Sequence, residues 1–441
     1  MASIHFISLG CPKNLVDSEV MLGLLSESGH SFTDDAKAAE VIVVNTCAFI
    51  EDAKKEAIGT VLEMAEHKKS GTCQLLVVAG CLPQRYRHEI ENLFPEVDIF
   101  IGAGEFNRIA DMIDARRAAP SVHVGRPTYL YDHGTPRVQA TPPHSAYIKI
   151  AEGCFHPCSF CVIPKLRGGF RSRRPESIVE EARAMIARGV KEINLVGQDT
   201  TAYGRGVGSD LPSLLKIISS LGGRKWVRFL YAYPHDFPYD VLDVMRDHRD
   251  ACRYLDMPIQ HISDKVLAAM RRKGEGDEIR RLVEKARERV PGITLRTSVI
   301  VGFPGETEKD FAELIDFVRE ACFDHLGVFT FSPEEGTPAF KLDNRVTGKV
   351  AEERRGRVME LQQGIARERN KTLIGERLEV LVEGPSQETE LLIAARHEGQ
   401  APDIDGLVYI NEGDPPIGDF CTVEITESHD YDVVGKVVES G

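Results

Sequence analysis

Three cysteines in the middle of the chain have the spacing of a metal-binding array. Cys154, Cys158 and Cys161, here called the loop cysteines, follow one another as C-x3-C-x2-C after an apolar stretch that predicts a strand. Three thiolates on one short loop can hold an iron–sulfur cluster of four irons and leave one iron open for a non-protein ligand. A zinc knuckle completed by His144 or His156 is the alternative, but zinc sites usually take paired ligands from a second segment, and none follows in the sequence. The spacing therefore favours the cluster.

Three further cysteines, far apart in the sequence, occupy the same place in three successive units. Cys11, Cys47 and Cys81, here called the strand-end cysteines, each follow the end of a predicted strand, about one βα unit apart. Right-handed crossovers place the C-terminal ends of parallel strands along one edge, where open α/β sheets bind their ligands. We therefore expect these thiols to share one site; three small core residues are the alternative. Cys73 precedes its strand and is expected at the opposite edge.

The elements that must position these thiols predict an α/β protein of three domains, the last of which is a small β-barrel. Residues 1–118 alternate predicted strands with helices, the last helix covering Arg108–Arg117, and predict a doubly wound parallel sheet. Residues 140–371 contain six predicted strands, each but the last followed by a helix, and predict a partial (β/α)6 barrel with functional residues at the strand C-termini. Residues 372–441 contain five short predicted strands, which indicate a small antiparallel β-barrel of the oligonucleotide-binding kind.

The composition is that of an ordinary soluble protein. The 441 residues are 42% hydrophobic and 28% charged, which argues against disorder. The longest apolar runs have the length of a strand, and the N-terminus has no basic region before an apolar one, so we expect neither a membrane span nor a secretory signal. Ten cysteines without an export signal indicate a reducing compartment, and hence a cytoplasmic protein.

The formal net charge of −14 is concentrated in the last domain. Residues 372–441 contain sixteen acidic residues and three basic ones, whereas the rest of the chain is close to neutral. An RNA-binding surface needs Lys and Arg to replace the counterions of the phosphates, so this domain is unsuited to holding tRNA. Its acidity indicates instead a basic protein partner, with improved solubility as the alternative.

The segments around the cysteines carry a resemblance to a known family. The cysteine loop, with Phe160 before its last thiol, is similar to that of radical S-adenosylmethionine (SAM) enzymes, and the three-cysteine domain ahead of it resembles that of the methylthiotransferases. The segments GCPKNLVDSE, TPPHSAYIKIAEGC, MPIQHISD and RTSVIVGFPGET resemble the RimO branch, and the last domain resembles a TRAM domain. The tRNA-modifying MiaB branch typically has Gln-Met-Asn after its first cysteine, where this chain has Pro-Lys-Asn.

The resemblance implies a radical enzyme with two [4Fe-4S] clusters. The loop cysteines would hold the cluster that binds and cleaves SAM, and the strand-end cysteines an auxiliary cluster that presents the sulfur. The resulting radical would take hydrogen from the β-carbon of an aspartate in the basic small-subunit ribosomal protein S-twelve, and a second SAM would supply the methyl group. The same chemistry on a tRNA adenosine is one alternative, and a non-enzymatic iron–sulfur carrier or zinc scaffold is another. An electron donor is required, and nothing in the sequence demands more than a monomer.

Five further residues are candidate SAM contacts. The ring of Phe160 could pack against the adenine, with a place in the core as the alternative. Gly197 and Gln198 end the second barrel strand, and Gln260 and Arg296 lie at or inside strands that face the expected cavity. Four arginines follow the cysteine loop and form either a clamp for an acidic group or a solvated loop. They are Arg167, Arg171, Arg173 and Arg174.

Overall fold

A parallel sheet with helices on both faces begins the chain, and the computed structural model describes residues 1–115 and 120–440. The strands are β1 (Ser3–Ser8), β2 (Ser31–Phe32), β3 (Val41–Thr46), β4 (Leu75–Gly80), β5 (Ile99–Gly102) and β6 (Ser121–His123). The helices are α1 (Pro12–Glu27), α2 (Glu51–Ala65), α3 (His67–Ser70), α4 (Cys81–Arg85), α5 (Ile90–Leu93) and α6 (Ile109–Asp114).

This sheet is parallel throughout and has the strand order β2-β1-β3-β4-β5-β6. Strands β3 and β4 are buried along their whole length, as their continuous apolar sequences require of interior parallel strands. Val16 of α1 and Ile109 of α6 belong to the core on one face, and Ala57 and Val61 of α2 to the core on the other. The doubly wound sheet is therefore confirmed. Because the chain changes face between β1 and β3, their C-terminal ends flank a topological switch point.

Two edge strands and one helix end differ from the sequence-based expectation. Strand β2 contains only two residues, both exposed, and β6 only three, so neither has room for a recognisable alternation. The helix expected at Arg108–Arg117 is a 3-10 turn, Phe106–Arg108, followed by α6, which ends at Asp114. Arg117 and the expected domain boundary at residue 118 lie outside the described residues.

The middle of the chain continues in βα units. Its strands are β7 (Ser145–Lys149), β8 (Ala151–Glu152), β9 (Arg171–Ser172), β10 (Glu192–Val196), β11 (Trp226–Phe229), β12 (Tyr254–Asp256), β13 (Thr294–Val301) and β14 (His325–Thr330). Its helices are α7 (Ile163–Leu166), α8 (Pro175–Ala187), α9 (Leu211–Ser219), α10 (Asp240–Asp247), α11 (Asp264–Ala269), α12 (Gly276–Arg289), α13 (Glu308–Ala321) and α14 (Gly348–Thr372).

Six of these strands form the partial barrel. They pair in parallel as β7-β10-β11 and as β12-β13-β14, and a single parallel bridge between Val227 and Ala251 connects the two halves. The helices bury their apolar faces against the outside of these strands in one large core. Strands β8 and β9 form a separate antiparallel pair that brackets the cysteine loop. The expected (β/α)6 arrangement is confirmed, with the cysteine loop at the C-terminal end of its first strand.

The last strands close into a small barrel. They are β15 (Arg377–Pro385), β16 (Ile393–His397), β17 (Val408–Glu412), β18 (Phe420–Ser428) and β19 (Val433–Ser440), in the order β15-β16-β17-β19-β18. The expected five-stranded barrel is confirmed, although the pair β17–β19 is parallel rather than antiparallel. Across the two described ranges, no helix is long and apolar enough to cross a membrane.

Candidate functional site

The cysteine loop is held by backbone contacts that require glycine. Gly153 has a φ of +79°, and a Cβ atom there would lie 2.6 Å from the carbonyl oxygen of Gly168 and would overlap that of Gly169. The backbone N–H of Cys154 donates to the Gly168 carbonyl at 3.2 Å. At the other end of the loop, the N–H of Cys161 donates to the carbonyl of Cys158 at 3.2 Å. The loop cysteines thus lie on one turn whose path is fixed by close backbone packing.

Burial keeps the loop thiols protonated when no metal is bound. It raises the pKa of Cys154 to about 11 and that of Cys161 to about 12, and the neighbouring thiols add to the effect. The pKa of Cys158 is raised by the same burial, although Arg272 opposes it. Binding of a metal or cluster must displace these protons, so loading of the site is expected to be pH-dependent.

The histidines considered as zinc ligands have other partners. The Nε2 atom of His156 lies 2.7 Å from Asp199, and its ring stacks on Tyr233 with 3.8 Å between centroids. His144 contacts Glu383 of the last barrel at 3.0 Å. Among the described residues, no three His, Cys, Asp or Glu side chains converge as a single metal ion would need. A cluster places its thiolates on different irons and so tolerates the wider spacing, and the donor set fits a cluster better than zinc.

The strand-end cysteines come together at the switch point of the N-terminal sheet. Cys11 precedes α1, Cys47 follows β3, and Cys81 is the first residue of α4 after β4. A Cβ atom on Gly10 would lie only 2.6 Å from the Cβ and 3.2 Å from the Sγ of Cys47, so the first two segments touch. Burial raises the pKa of Cys47 to about 12, and Cys81 and Cys11 reinforce this rise by their proximity. Cys73 precedes β4 and so lies at the opposite edge of the sheet.

Polar side chains under this edge fix the three strand ends relative to one another. Asn45 donates to the carbonyl of Asn14 at 3.0 Å and to the hydroxyl of Ser18 at 2.8 Å. Asn14 donates to the carbonyl of Leu9 at 2.7 Å, and the Thr46 hydroxyl donates to that of Ala79 at 2.6 Å. These bonds connect the end of β1, the start of α1 and the ends of β3 and β4, so the thiols are positioned by the sheet itself.

Two buried cations give this edge a positive potential. Burial alone would raise the pKa of the Cys11 thiol, but the charges of Lys13 and Arg167 hold it below its usual value. The ammonium of Lys13 lies 3.3 Å from the centroid of the Tyr231 ring, at the end of barrel strand β11. Lys13 thus contacts the barrel, and the two cations favour negative charge at Cys11.

A buried ionic network joins the two thiol sites, and sequence reasoning missed it. Asp17 of α1 contacts both Lys149 and Arg167. Lys149 also donates to Glu152 at 2.6 Å, and Glu152 accepts from Gln198 at 2.7 Å. Opposite charges thus alternate from α1 to the strand that enters the cysteine loop. Asp17 lies in the segment GCPKNLVDSE, but only the fold shows that its partners Lys149 and Arg167 belong to the other domain.

The arginine group after the cysteine loop is largely internal. Arg167 and Arg173 are each only 2% exposed, and Arg173 donates to Glu181 at 2.6 Å. Arg171 is half-buried and donates to the carbonyl of Gly169, whereas Arg174 is exposed. Two of the four are therefore bound to carboxylates of the chain itself and do not form the solvated loop or the open clamp considered from the sequence.

The candidate SAM contacts lie at different places in the barrel. Phe160 is half-buried and packs against the small core that contains Met270 and Phe303. Gly197 is buried, and a Cβ atom there would make an ordinary 3.7 Å contact with Ala151. Gln198 donates to Glu152, and its buried Oε1 atom has no hydrogen-bond partner among the described residues.

The last two candidates differ from each other. Gln260 has a φ of +72°, a conformation that non-glycine residues rarely adopt outside functional or constrained positions. Its backbone bonds to β13 through Ser298 and Ile300. Arg296 donates to Asp256 at 2.9 Å and lies 3.3 Å from Asp405 of the last barrel. Its guanidinium is therefore engaged with two carboxylates and connects the two barrels.

Three family descriptions match consecutive parts of the chain. Residues 3–102 match the "Uncharacterized protein family UPF0004", residues 148–318 match the "Radical SAM superfamily" and residues 374–438 match the "TRAM domain". The first match covers the strand-end cysteines, and the second begins just before the cysteine loop. The two thiol sites thus belong to two regions of the chain that match different families.

Curated relatives are similar over nearly the full length. A protein of Myxococcus xanthus named ribosomal protein uS12 methylthiotransferase RimO is 52% identical over 99% of this chain and 92% of its own. A protein of the same name from Geotalea uraniireducens is 48% identical over 99% and 98% of the two chains. Among solved structures, the radical SAM methyltransferase TsrM of Kitasatospora setae, with cobalamin and a [4Fe-4S] cluster bound, has a TM-score of 0.56 at 15% identity. That alignment covers 85% of this chain and 79% of TsrM, and it shows a shared fold.

Proposed function

This chain belongs to the RimO family of ribosomal protein uS12 methylthiotransferases, and we propose that it inserts a methylthio group at the β-carbon of an aspartate of that ribosomal protein. The observation that supports this proposal is the presence of two separate thiol triads, each at the C-terminal edge of a parallel sheet and connected by the buried ion pairs of Asp17 with Lys149 and Arg167. One triad suffices for SAM cleavage, whereas insertion of sulfur requires a second place to hold it.

The radical SAM family implies one [4Fe-4S] cluster and SAM, and the loop residues fit that cluster. Cys154, Cys158 and Cys161 would hold it, and the cluster with SAM supplies one-electron cleavage of SAM when both are bound. The chain contributes the fixed loop path, the burial that excludes water and the stacked His156–Tyr233 pair beside it. Phe160, Gly197, Gln198, Gln260 and Arg296 remain the predicted SAM contacts, and the existing ion pairs of Arg296 make it the weakest of them.

The strand-end cysteines would hold an auxiliary [4Fe-4S] cluster. Cys11, Cys47 and Cys81 supply three thiolates, which again leaves one iron open for the sulfur that is inserted. The positive surroundings from Lys13 and Arg167 support an occupant with excess negative charge. No carboxylate or imidazole is needed to complete the set. An external electron donor is required, as for any enzyme that cleaves SAM reductively.

The proposed domains are 1–118, 140–371 and 372–441, and part of the acidity of the last one faces the barrel beside it. Among the described residues, four of its carboxylates pair with Lys or Arg of the middle domain. These pairs are Glu379 with Arg224, Asp405 with Arg296, Asp419 with Lys191 and Asp430 with Arg367. This portion of the acidic charge is therefore used for docking of the domain and is not available to a partner.

The remaining acidity supports a narrower site for the basic substrate. Glu390, Glu412 and Asp414 are exposed and form no ion pair with any described residue. They lie in or beside the loops that follow β15 and β17, together with Leu391 and Ile417, whose side chains are 88% and 62% exposed. Charged groups around apolar anchors suit a basic protein such as uS12 better than tRNA. We propose that a monomer of this enzyme binds uS12 in the cytoplasm through these loops.

The activity is tested with the reconstituted full chain under anaerobic conditions. SAM, a chemical reductant and either uS12 or tRNA are added, and the products are examined by mass spectrometry. We expect one methylthio group on an aspartate-containing peptide of uS12 and none on tRNA. A modified tRNA with unmodified uS12 contradicts the substrate, and a chain that never cleaves SAM contradicts the reaction.

Binding of uS12 through the loops that follow β15 and β17 is tested separately. Glu412 and Asp414 are changed together to their amide counterparts, E412Q and D414N. Binding of uS12 is then measured at two salt concentrations. We expect weaker binding and a smaller salt dependence. The control is Glu427→Gln, an exposed carboxylate at the far end of β18, which should leave binding unchanged. Equal effects of both variants contradict a local site.

A further inference from the structure

We propose that Arg167 is a positioning residue that couples the two cluster sites and makes the auxiliary cluster easier to reduce. This inference rests on the proposed function, because it assumes that the strand-end cysteines hold a cluster. Arg167 itself belongs to the cysteine-loop region, since it directly follows α7, which begins two residues after Cys161. Its guanidinium nevertheless ends in the other domain.

The guanidinium contacts a cluster ligand directly. Its Nη2 atom lies 3.4 Å from the Sγ of Cys81 and 2.9 Å from the Oδ1 of Asn14, and its Nη1 atom binds Asp17. The side chain is only 3% exposed. One terminal nitrogen of the guanidinium therefore donates to the carboxylate, and the other donates to an amide oxygen and to the thiol sulfur. A single ammonium group cannot reproduce this geometry.

The backbone beside Arg167 holds the other cluster site. The carbonyl of Gly168 accepts the N–H of Cys154 at 3.2 Å, and Gly168 has a φ of +74°. A Cβ atom on Gly153 would collide with this same stretch of backbone. Two adjacent residues thus contact a ligand of each proposed cluster, one through its side chain and one through its carbonyl. Displacement of Arg167 would change both the sulfur environment at Cys81 and the distance between the sites.

The expected electronic effect follows from charge. A reduced cluster carries one more negative charge than an oxidised one, and an N–H···S bond from a permanent cation stabilises the more negative form. The ionic network contains two carboxylates, Asp17 and Glu152, and two cations, Arg167 and Lys149, so loss of the guanidinium would leave it with one excess negative charge. Removal of the guanidinium should therefore shift the reduction potential of the auxiliary cluster to more negative values.

Arg137 provides a matched control. Its side chain too is largely buried and joins α1 to the middle domain, through Glu19 and through Glu181 at 2.6 Å. Its hydrogen bonds, however, go to carboxylates and to the carbonyl of Tyr147, and none goes to sulfur. Its loss weakens the same interface without removing a hydrogen bond to a cluster ligand. If Arg167 had only a structural role, replacing Arg167 and replacing Arg137 would affect the potential of the auxiliary cluster in the same way.

The first experiment isolates the auxiliary cluster in the full chain. Cys154, Cys158 and Cys161 are replaced by Ala, and the potential of the remaining cluster is measured by an EPR-monitored redox titration for Arg167, Arg167→Met, Arg167→Lys and Arg137→Met. We expect a more negative potential for Arg167→Met, a smaller shift in the same direction for Arg167→Lys, and no shift for Arg137→Met. Should Arg167→Met not retain iron, the Lys variant decides. An unchanged potential in the Arg167 variants, or an equal shift in Arg137→Met, overturns the inference.

The second experiment uses the enzyme with both clusters. We expect Arg167→Met to cleave SAM while methylthio insertion falls by about 10–100-fold, the usual cost of losing a group that orients a ligand. Arg137→Met should keep the ratio of the two reactions. An equal loss of both reactions in Arg167→Met overturns the inference. If the parent with Arg167 intact binds no iron at the strand-end cysteines, the proposed auxiliary cluster fails instead, and iron analysis distinguishes that result.

Discussion

The two thiol sites of this molecule bring three cysteines together in opposite ways. The loop cysteines lie within eight residues of one another, on a turn fixed by Gly153 and the backbone of Gly168 and Gly169. The strand-end cysteines are spread over the first 81 residues and meet only because β1, β3 and β4 are adjacent in the sheet. One site is a property of a short segment, and the other is a property of a whole domain. The first can be recognised by spacing, the second only by topology.

The two sites also differ in their electrostatics. Burial dominates at the loop, where the pKa values of all three thiols are raised. At the strand ends, Lys13 and Arg167 are close enough to Cys11 to reverse the effect of burial. Burial still raises the pKa of Cys47 and of Cys81, so the strand-end site differs from the loop at one thiol, Cys11.

The largest expected effect separates the two sites by function. Cys161→Ala should abolish both SAM cleavage and methylthio insertion, because the first cluster is lost. Cys11→Ala should keep SAM cleavage and abolish insertion, since only the auxiliary site is affected. Chromatography of the SAM products and mass spectrometry of uS12 measure the two reactions. Loss of SAM cleavage in Cys11→Ala would contradict the assignment of separate roles.

A second prediction compares how backbone packing supports each site. Gly153→Ala forces an alanine to φ near +79° and into the Gly168–Gly169 carbonyls, so SAM cleavage should fall by about 10–100-fold. Gly10→Ala places a methyl group 2.6 Å from the Cβ of Cys47. We therefore expect a lower iron content at the auxiliary site and an unchanged iron content at the loop site. The control is Gly169→Ala, where an added Cβ meets nothing within 4 Å. Equal iron losses from both sites in either variant would show that they are not independent.

A third prediction concerns acid, which should destabilise the middle domain through one buried histidine, His261. His261, fully buried beside Asp310 and Arg354, has its pKa lowered by burial to about 4, against about 6.5 when unfolded. Between these two pKa values, the unfolded chain binds a proton at His261 and the folded chain does not. The free energy of unfolding therefore falls as the pH decreases from 6.5 towards 4. The loss between pH 7 and pH 5 should be about 2 kcal/mol.

Urea denaturation of the full chain at both pH values measures this loss. His261→Asn should remove this part of the pH dependence, whereas His429→Asn, at an exposed position of the last barrel, should not. An identical pH dependence of wild type and His261→Asn would exclude the buried imidazole as its source.

The smallest expected effect is at Gly197. An added Cβ would make ordinary contacts at 3.7 Å, so the free energy of unfolding of Gly197→Ala should stay within about 0.5 kcal/mol of wild type. If SAM approaches this backbone as the sequence predicts, the KM for SAM should rise a few-fold with kcat unchanged. An unchanged KM would remove Gly197 from the candidate contacts.

Most of the architecture could be predicted because its elements are long and strongly patterned. The buried runs of β3 and β4 and the punctuation of the last five strands by Gly and Pro are local signals. Strand β2, with two exposed residues, has no such signal, and the parallel pair β17–β19 depends on barrel closure. The grouping of the strand-end cysteines could be predicted because strand C-termini share an edge.

The partners of buried charges could not be predicted in this way. The sequence predicts Arg167 as part of a clamp or a solvated loop and Arg296 as a cofactor contact, yet both are engaged with carboxylates more than 30 residues away in sequence. Sequence patterns give the face on which a residue lies, but not which element of another domain packs on that face. Ion pairs between domains are therefore the part of the site that only the structure supplies.

The ionic network between α1 and the middle domain has a consequence for the order of assembly during synthesis. Asp17 leaves the ribosome 132 residues before Lys149 and 150 residues before Arg167. At translation rates of about 5–20 residues per second, both partners of this carboxylate have emerged only after roughly 8–30 s. The N-terminal sheet thus gains its buried ionic partners from a segment that is synthesised much later. Until then, the site of Cys11, Cys47 and Cys81 lacks the Arg167 guanidinium. Insertion of iron at that edge should follow, and not precede, the emergence of the cysteine loop.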